Sequence, residues 1–197
     1  MLAGVGTNRN DSGLTMEVSF TSHIDEAGKW TWLSRGIMLF DTSSIPNDAA
    51  IFSAILSLYG LAKYDMNSAT PNINIYSSNP GSNIALVGTD WATLGSIPFC
   101  NTPIAYADWN IGVYNDFILN AAGLAAISKT GISKFGIRNA NYDVVAVEPN
   151  NIVGSKISLL RCWTADKGIA YAPKLVVTYL SPPPPINKAY ALARERL

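Results

Sequence analysis

The side chains most able to recognise a ligand are flat aromatic rings set among amides and hydroxyls, with five tryptophans and nine tyrosines in 197 residues. Sugars present apolar C–H faces that stack on such rings, while Asn and Asp bond the sugar hydroxyls. An exposed Trp or Tyr with amide neighbours is therefore a glycan platform. Trp30 and Trp32 stand two apart, a spacing that places both on one face of a strand, beside Lys29. Tyr64 falls next to Asp65 in what reads as a loop. Trp30, Trp32 and Tyr64 are the candidate glycan ligands. Trp91, Trp109 and Trp163 read as core residues.

Two oxygen-rich clusters, Asp65 with Asn67 and Asn141 with Asp143, offer the hard ligands that Ca²⁺ prefers, although no EF-hand pattern surrounds them. The same residues also form ordinary Asx turns. A structural Ca²⁺ is the one cofactor the sequence suggests. Catalytic groups are scarce. A lone histidine, His23, cannot build a two- or three-imidazole metal site. The nucleophile elbow, the phosphate-cradling glycine loop and Cys-x-x-Cys do not occur. Asp25 and Glu26 are adjacent and would face opposite ways on a strand. Asp108 and Asp116 bracket a strand as turn residues, so no carboxylate pair suits glycoside cleavage. The expectation is a non-enzyme.

Composition narrows the partners. Lys plus Arg and Asp plus Glu number 14 each, so the formal net charge is zero, against the basic face that nucleic-acid binding needs. No apolar run is long enough for a membrane span. Cys100 and Cys162 show no metal spacing; they allow a disulfide, but two buried thiols suit them better.

The positioning elements are strands. Leu14-Thr-Met-Glu-Val-Ser-Phe20 alternates with period two, within a Gly/Asn/Ser-rich arm at 1–28. Further strand signals recur at 35–40, 51–59, 72–76, 85–87, 110–114, 134–138, 144–147, 156–160 and 175–179, bounded by Asn, Pro, Gly and Asp. About ten short strands predict an all-β, jelly-roll-like antiparallel β-sandwich. One short helix interrupts them at 121–128, capped by Asn120 and closed by Gly131. Ser181 followed by four prolines ends the domain at about residue 180. In the tail at 181–197, Tyr190, Ala193 and Leu197 share one helical face, too short to be stable alone, which suggests docking onto a partner.

Ser34-Arg-Gly-Ile-Met-Leu-Phe-Asp-Thr-Ser-Ser-Ile-Pro46, followed by Ala49-Ala-Ile-Phe-Ser-Ala-Ile-Leu-Ser-Leu-Tyr59, resembles the opening of DNRLRE-type domains. Trp91, the segments 119–128 and 131–138, and Tyr171-Ala-Pro-Lys-Leu-Val-Val-Thr-Tyr179 are similar to the later half of that pattern. The likeness covers residues 30 to 180. It implies a carbohydrate-binding-module-like sandwich of the kind found in secreted, cell-surface and phage proteins. The N-terminus lacks the basic and apolar regions of a secretory signal, and a phage protein released by lysis needs none. The expectation is thus a surface module on a virion, as head-decoration or tail protein, or in another extracellular setting. Its expected partners are surface glycans and, through the tail, other subunits of a virion or surface assembly. The alternative is a purely structural assembly protein that binds no glycan.

Overall fold

A computed structural model describes residues 6–66, 68–147 and 153–181. Period-two alternation becomes nine strands in them: β1 Thr15–Ser22, β2 Trp30–Leu33, β3 Gly36–Asp41, β4 Ala50–Asp65, β5 Ile73–Ser77, β6 Tyr114–Ile118, β7 Ile132–Asn139, β8 Ile157–Trp163 and β9 Lys174–Leu180. Every strand pair is antiparallel. A six-stranded sheet runs β2-β1-β8-β4-β6, with β9 also on β4, and a three-stranded sheet runs β3-β7-β5. The architecture is all-β and sandwich-like, as the strand spacing predicts.

The core lies between the sheets. Val18, Leu56, Leu58, Phe117, Leu160 and Cys162 come from the larger sheet, and Met38, Ile73, Ile75, Phe135 and Ile137 from the smaller. β4 is long because it serves two neighbourhoods. Its first half pairs with β9 and β6, and its second half with β8, with a register shift at Gly60/Ala62 where partners change. A Cβ at Gly60 would stand 2.0 Å from the Asn110 carbonyl oxygen, so only glycine admits the crossing loop there.

Three predicted strands fold otherwise. Residues 85–87 lead into a 3₁₀ turn at Gly88–Thr93, because the buried Asp90 carboxylate accepts from the Val87 and Gly81 amides. The strand expected at 110–114 starts only at Tyr114. Gly112 at φ +81 turns the chain, and the Asn115 side chain accepts from the Asn110 amide. Residues 144–147 form a turn with Ala146 at φ +57, which no strand tolerates. The helix is real but shorter, Ala121–Ala125; Asn120 caps it by accepting from the Gly123 amide, and it ends well before Gly131. Cys100 and Cys162 are buried free thiols. No helix among the described residues is long and apolar enough to cross a membrane.

Candidate functional site

The two neighbouring tryptophans do not share a face. Along β1 and β2, Thr21 pairs with Trp32 but Ser22 pairs with Trp30, so Thr31 is an extra residue in a bulge. A bulge resets the alternation of side chains. Ser22 and Phe20 face the core; Trp30 follows them inward, stacks on Phe20 at 6.2 Å and is 7 % exposed. Thr21 faces out, and Trp32 stands beside it at 43 % exposure. Spacing alone predicts a Trp pair; the bulge leaves Trp30 as core and Trp32 as surface.

Tyr64 replaces Trp30 as the companion of Trp32. It lies in β4 rather than in a loop, and it is 55 % exposed. The register gives two rows on the outward face, Trp32–Thr21–Ile157 and Ser19–Leu159–Tyr64. Strand order puts the two aromatic residues three strand spacings, about 14 Å, apart across the sheet and two residues apart along it. Between them lie the half-buried Thr21 and Ile157, and Ser19 and Leu159, which are only 1 % and 2 % exposed. Ser34 Oγ accepts from Trp32 Nε1 (2.6 Å) and lies 3.0 Å from Ser19 Oγ, which is 3.1 Å from Glu17 Oε1. Beside them, Arg161 Nε donates to Glu17 Oε2 at 2.8 Å in a part-exposed ion pair. Rings, hydroxyls and a bonded charge pair thus meet on one sheet face, the mix that sugars require.

The oxygen clusters converge, but on backbone rather than on a cation. Asp65 accepts from the amides of Ala69 and Thr70, both at 2.9 Å, and from Ser158 Oγ at 2.6 Å. Asn141 accepts from the Asn72 amide and donates to the Thr70 carbonyl. Tyr142 donates to the Ala69 carbonyl, and burial, with the nearby Asp65 charge, pushes its phenol above the usual value. This clamp holds Ser68 and Thr70 at φ +49 and +46, a conformation that disfavours a β-branched residue such as Thr70. Asn67 lies outside the described residues. Asp65 and Asn141 therefore act as turn-forming residues, with their oxygens turned to N–H and O–H donors.

Asp143, the fourth candidate Ca²⁺ ligand, is fully buried between two arginines. Arg35 donates to it from Nε (2.9 Å) and Nη2 (2.6 Å), and Arg138 from Nε (2.8 Å) and Nη2 (2.9 Å). Both oxygens are thus occupied by guanidinium groups, which repel a cation. The cause is local. Gly36 pairs with Ile137, so Arg35 and Arg138 fall side by side where β3 meets β7, and like charges there need a carboxylate between them. Burial pulls the Arg35 guanidinium below its ordinary value, and Asp143 opposes that shift. Arg35 also lies over the Trp91 ring, 3.8 Å from its centroid, and donates to the Trp91 carbonyl. Arg138 reaches the Gly95 carbonyl at 2.6 Å. The knot therefore ties the loop containing Trp91 to the smaller sheet. Sequence reading missed it; its one signal is an arginine at the end of each of two apolar strands.

Three further carboxylates are similarly engaged: Asp116 with Ser57, Asp41 with Ser43, Asp90 with two amides. His23 Nδ1 accepts from the Asp25 and Glu26 amides and so closes a turn. Among the described residues, no group of three or more His, Cys, Asp or Glu side chains could hold a metal ion. Trp109 is buried in the core as predicted, whereas Trp91 and Trp163 are half-buried against Arg35 and Lys167. Tyr190, Ala193 and Leu197 of the tail lie outside the described residues. No protein-family model and no curated protein matches this chain.

Proposed function

We propose that this chain is a non-catalytic surface module that adheres to carbohydrate, carried on a phage virion as a head-decoration or tail protein. The observation that carries the binding is the outward face holding Trp32 and Tyr64, with Ser19, Thr21 and the Glu17–Arg161 pair beside them. The two exposed rings offer stacking surfaces, and the half-buried Thr21 hydroxyl and the part-exposed Glu17–Arg161 pair beside them offer polar groups to orient a sugar. Its dimensions suit an extended oligosaccharide better than a single ring. A non-catalytic role is supported by the buried carboxylates among the described residues, Asp90 and Asp143, which are consumed by amides and arginines. The virion setting rests on the resemblance of residues 30–180 to DNRLRE-type domains and on the Asn/Ser/Thr-rich, weakly charged composition.

A second reading, a purely structural virion or cell-surface assembly protein, is favoured by the apolar outer face of β6, β4 and β9. A glycan-array screen of the full chain beside a Trp32→Ala/Tyr64→Ala variant separates the two. Binding lost in the variant supports adhesion; silence from the folded wild-type chain leaves the structural reading.

A further inference from the structure

The half of the larger sheet away from Trp32 has an outward face of a different kind. Phe117, Leu56 and Leu175 pair across β6, β4 and β9 and point into the core. Alternation sends the next row, Ile118–Ile55–Val176, outward. Phe52, the extra residue at the β4–β9 register shift, and Leu180 extend this row. Ile118, Val176, Phe52 and Leu180 are between 59 and 68 % exposed. Together they leave roughly 400 Å² of apolar surface open, a size at which patches on soluble chains mark interaction sites.

What fits this patch is set by the row beside it, Asp116–Ser57–Lys174, with an acid on β6 and a base on β9. Both ends are exposed. Asp116 accepts from Ser57 Oγ at 2.6 Å, and the Lys174 ammonium lies 3.8 Å from the Tyr114 ring centroid. Neither takes part in an ion pair among the described residues. β4 is the middle strand, so a two-fold axis along it exchanges the β6 side for the β9 side. That operation lays Ile118 over Val176 of a second copy and Ile55 over Ile55. It also sets Asp116 against Lys174, twice. The face is therefore complementary to itself in both apolar and charged rows, as an isologous contact requires. Zero formal net charge leaves no long-range repulsion between copies.

We propose that the outward face of β6, β4 and β9 is a homodimer interface, two sheets packed face to face at about 10 Å. A standard interface needs about 800 Å² per partner; the apolar patch supplies about half, and the Asp116/Lys174 row with the part-buried Tyr59 and Tyr114 adds to it. This proposal is independent of the glycan reading, which uses the other half of the sheet.

The test is a dilution series of the full chain by sedimentation velocity, with circular dichroism confirming each variant's fold. The wild type is expected to dimerise and Ile118→Lys to be monomeric, with Val176→Lys as a second variant should the first misfold. Asp116→Lys and Lys174→Asp are each expected to raise the dimer Kd about tenfold, and the double reversal to restore it. A wild type that stays monomeric overturns the proposal, and would be the result if the segment 182–197 of the same chain covers the face. So would a dimer indifferent to both apolar variants, or a double reversal no better than the singles. A dimer lost in Tyr190→Asp while Ile118→Lys dimerises normally would assign association to the tail and also overturn it.

Discussion

The Arg35–Asp143–Arg138 knot and the Trp32–Tyr64 face make opposite use of functional side chains. In the knot, two guanidiniums and a carboxylate are buried with four charge-assisted hydrogen bonds among them, and the arginines also donate to the carbonyls of Trp91, Leu94 and Gly95. On the face, two large rings are 43 and 55 % exposed, with the half-buried Thr21 between them and a part-exposed ion pair beside them. Charge density alone would nominate the knot as the active centre. Its groups, however, are already satisfied by one another, and a satisfied buried cluster specifies a fold rather than a reaction. The face, by contrast, leaves the Trp32 and Tyr64 rings exposed, which is the basis for proposing binding there.

The largest effect expected from breaking this contrast is at Asp143. Asp143→Ala leaves two guanidiniums buried side by side without a counter-charge and should cost about 3–5 kcal/mol in urea unfolding. Almost as large is the difference between the two tryptophans. Trp30→Ala removes a ring packed on Phe20 and should cost about 3–5 kcal/mol. Trp32→Ala, at the surface, should change stability by less than about 1 kcal/mol while weakening glycan binding. Equal destabilisation by both would return the two rings to one environment and refute the bulge.

A smaller effect belongs to the clamp under Tyr64. Asp65→Ala frees the amides of Ala69 and Thr70 and should lose about 1–3 kcal/mol. Ca²⁺ or a chelator should leave the wild-type Tm unchanged, since the clamp uses N–H and O–H donors; a Tm raised by Ca²⁺ would contradict that assignment. The last expectation concerns alkali. Burial pushes the Cys100 and Cys162 thiols up to about 12 from an ordinary 9.0, and the Tyr76 phenol up to about 12 from 10.0. Above the ordinary values the unfolded chain releases protons that the folded chain keeps. Stability is therefore full below about pH 9 and falls as pH climbs toward 12. Urea midpoints measured on either side of about pH 9 check the sign.

How much of this was legible in the sequence depends on the range of the determining interaction. The strand at 14–20 and the Asn120 cap are set by near neighbours, and the structure agrees with both. The short apolar runs at 85–87 and 144–147 carry no period of their own, and the turns at Asp90 and Ala146 overrode them. The Trp30–Trp32 pair misled because a bulge depends on the partner strand. The knot was invisible because Arg35 and Asp143 are 108 residues apart. Tyr64 was named for its type, and only the register reveals that it shares a face with Trp32.

The most direct test of the contrast compares two multiple variants of the full chain on one glycan array. The first, Arg35→Met/Arg138→Met/Asp143→Leu, replaces the knot by apolar groups of similar volume, with a folded state confirmed by circular dichroism. The second is Trp32→Ala/Tyr64→Ala. The account predicts wild-type glycan binding in the first and none in the second. Binding that vanishes in the folded first variant and persists in the second would contradict it, placing function in the buried charges and leaving the aromatic face as surface alone.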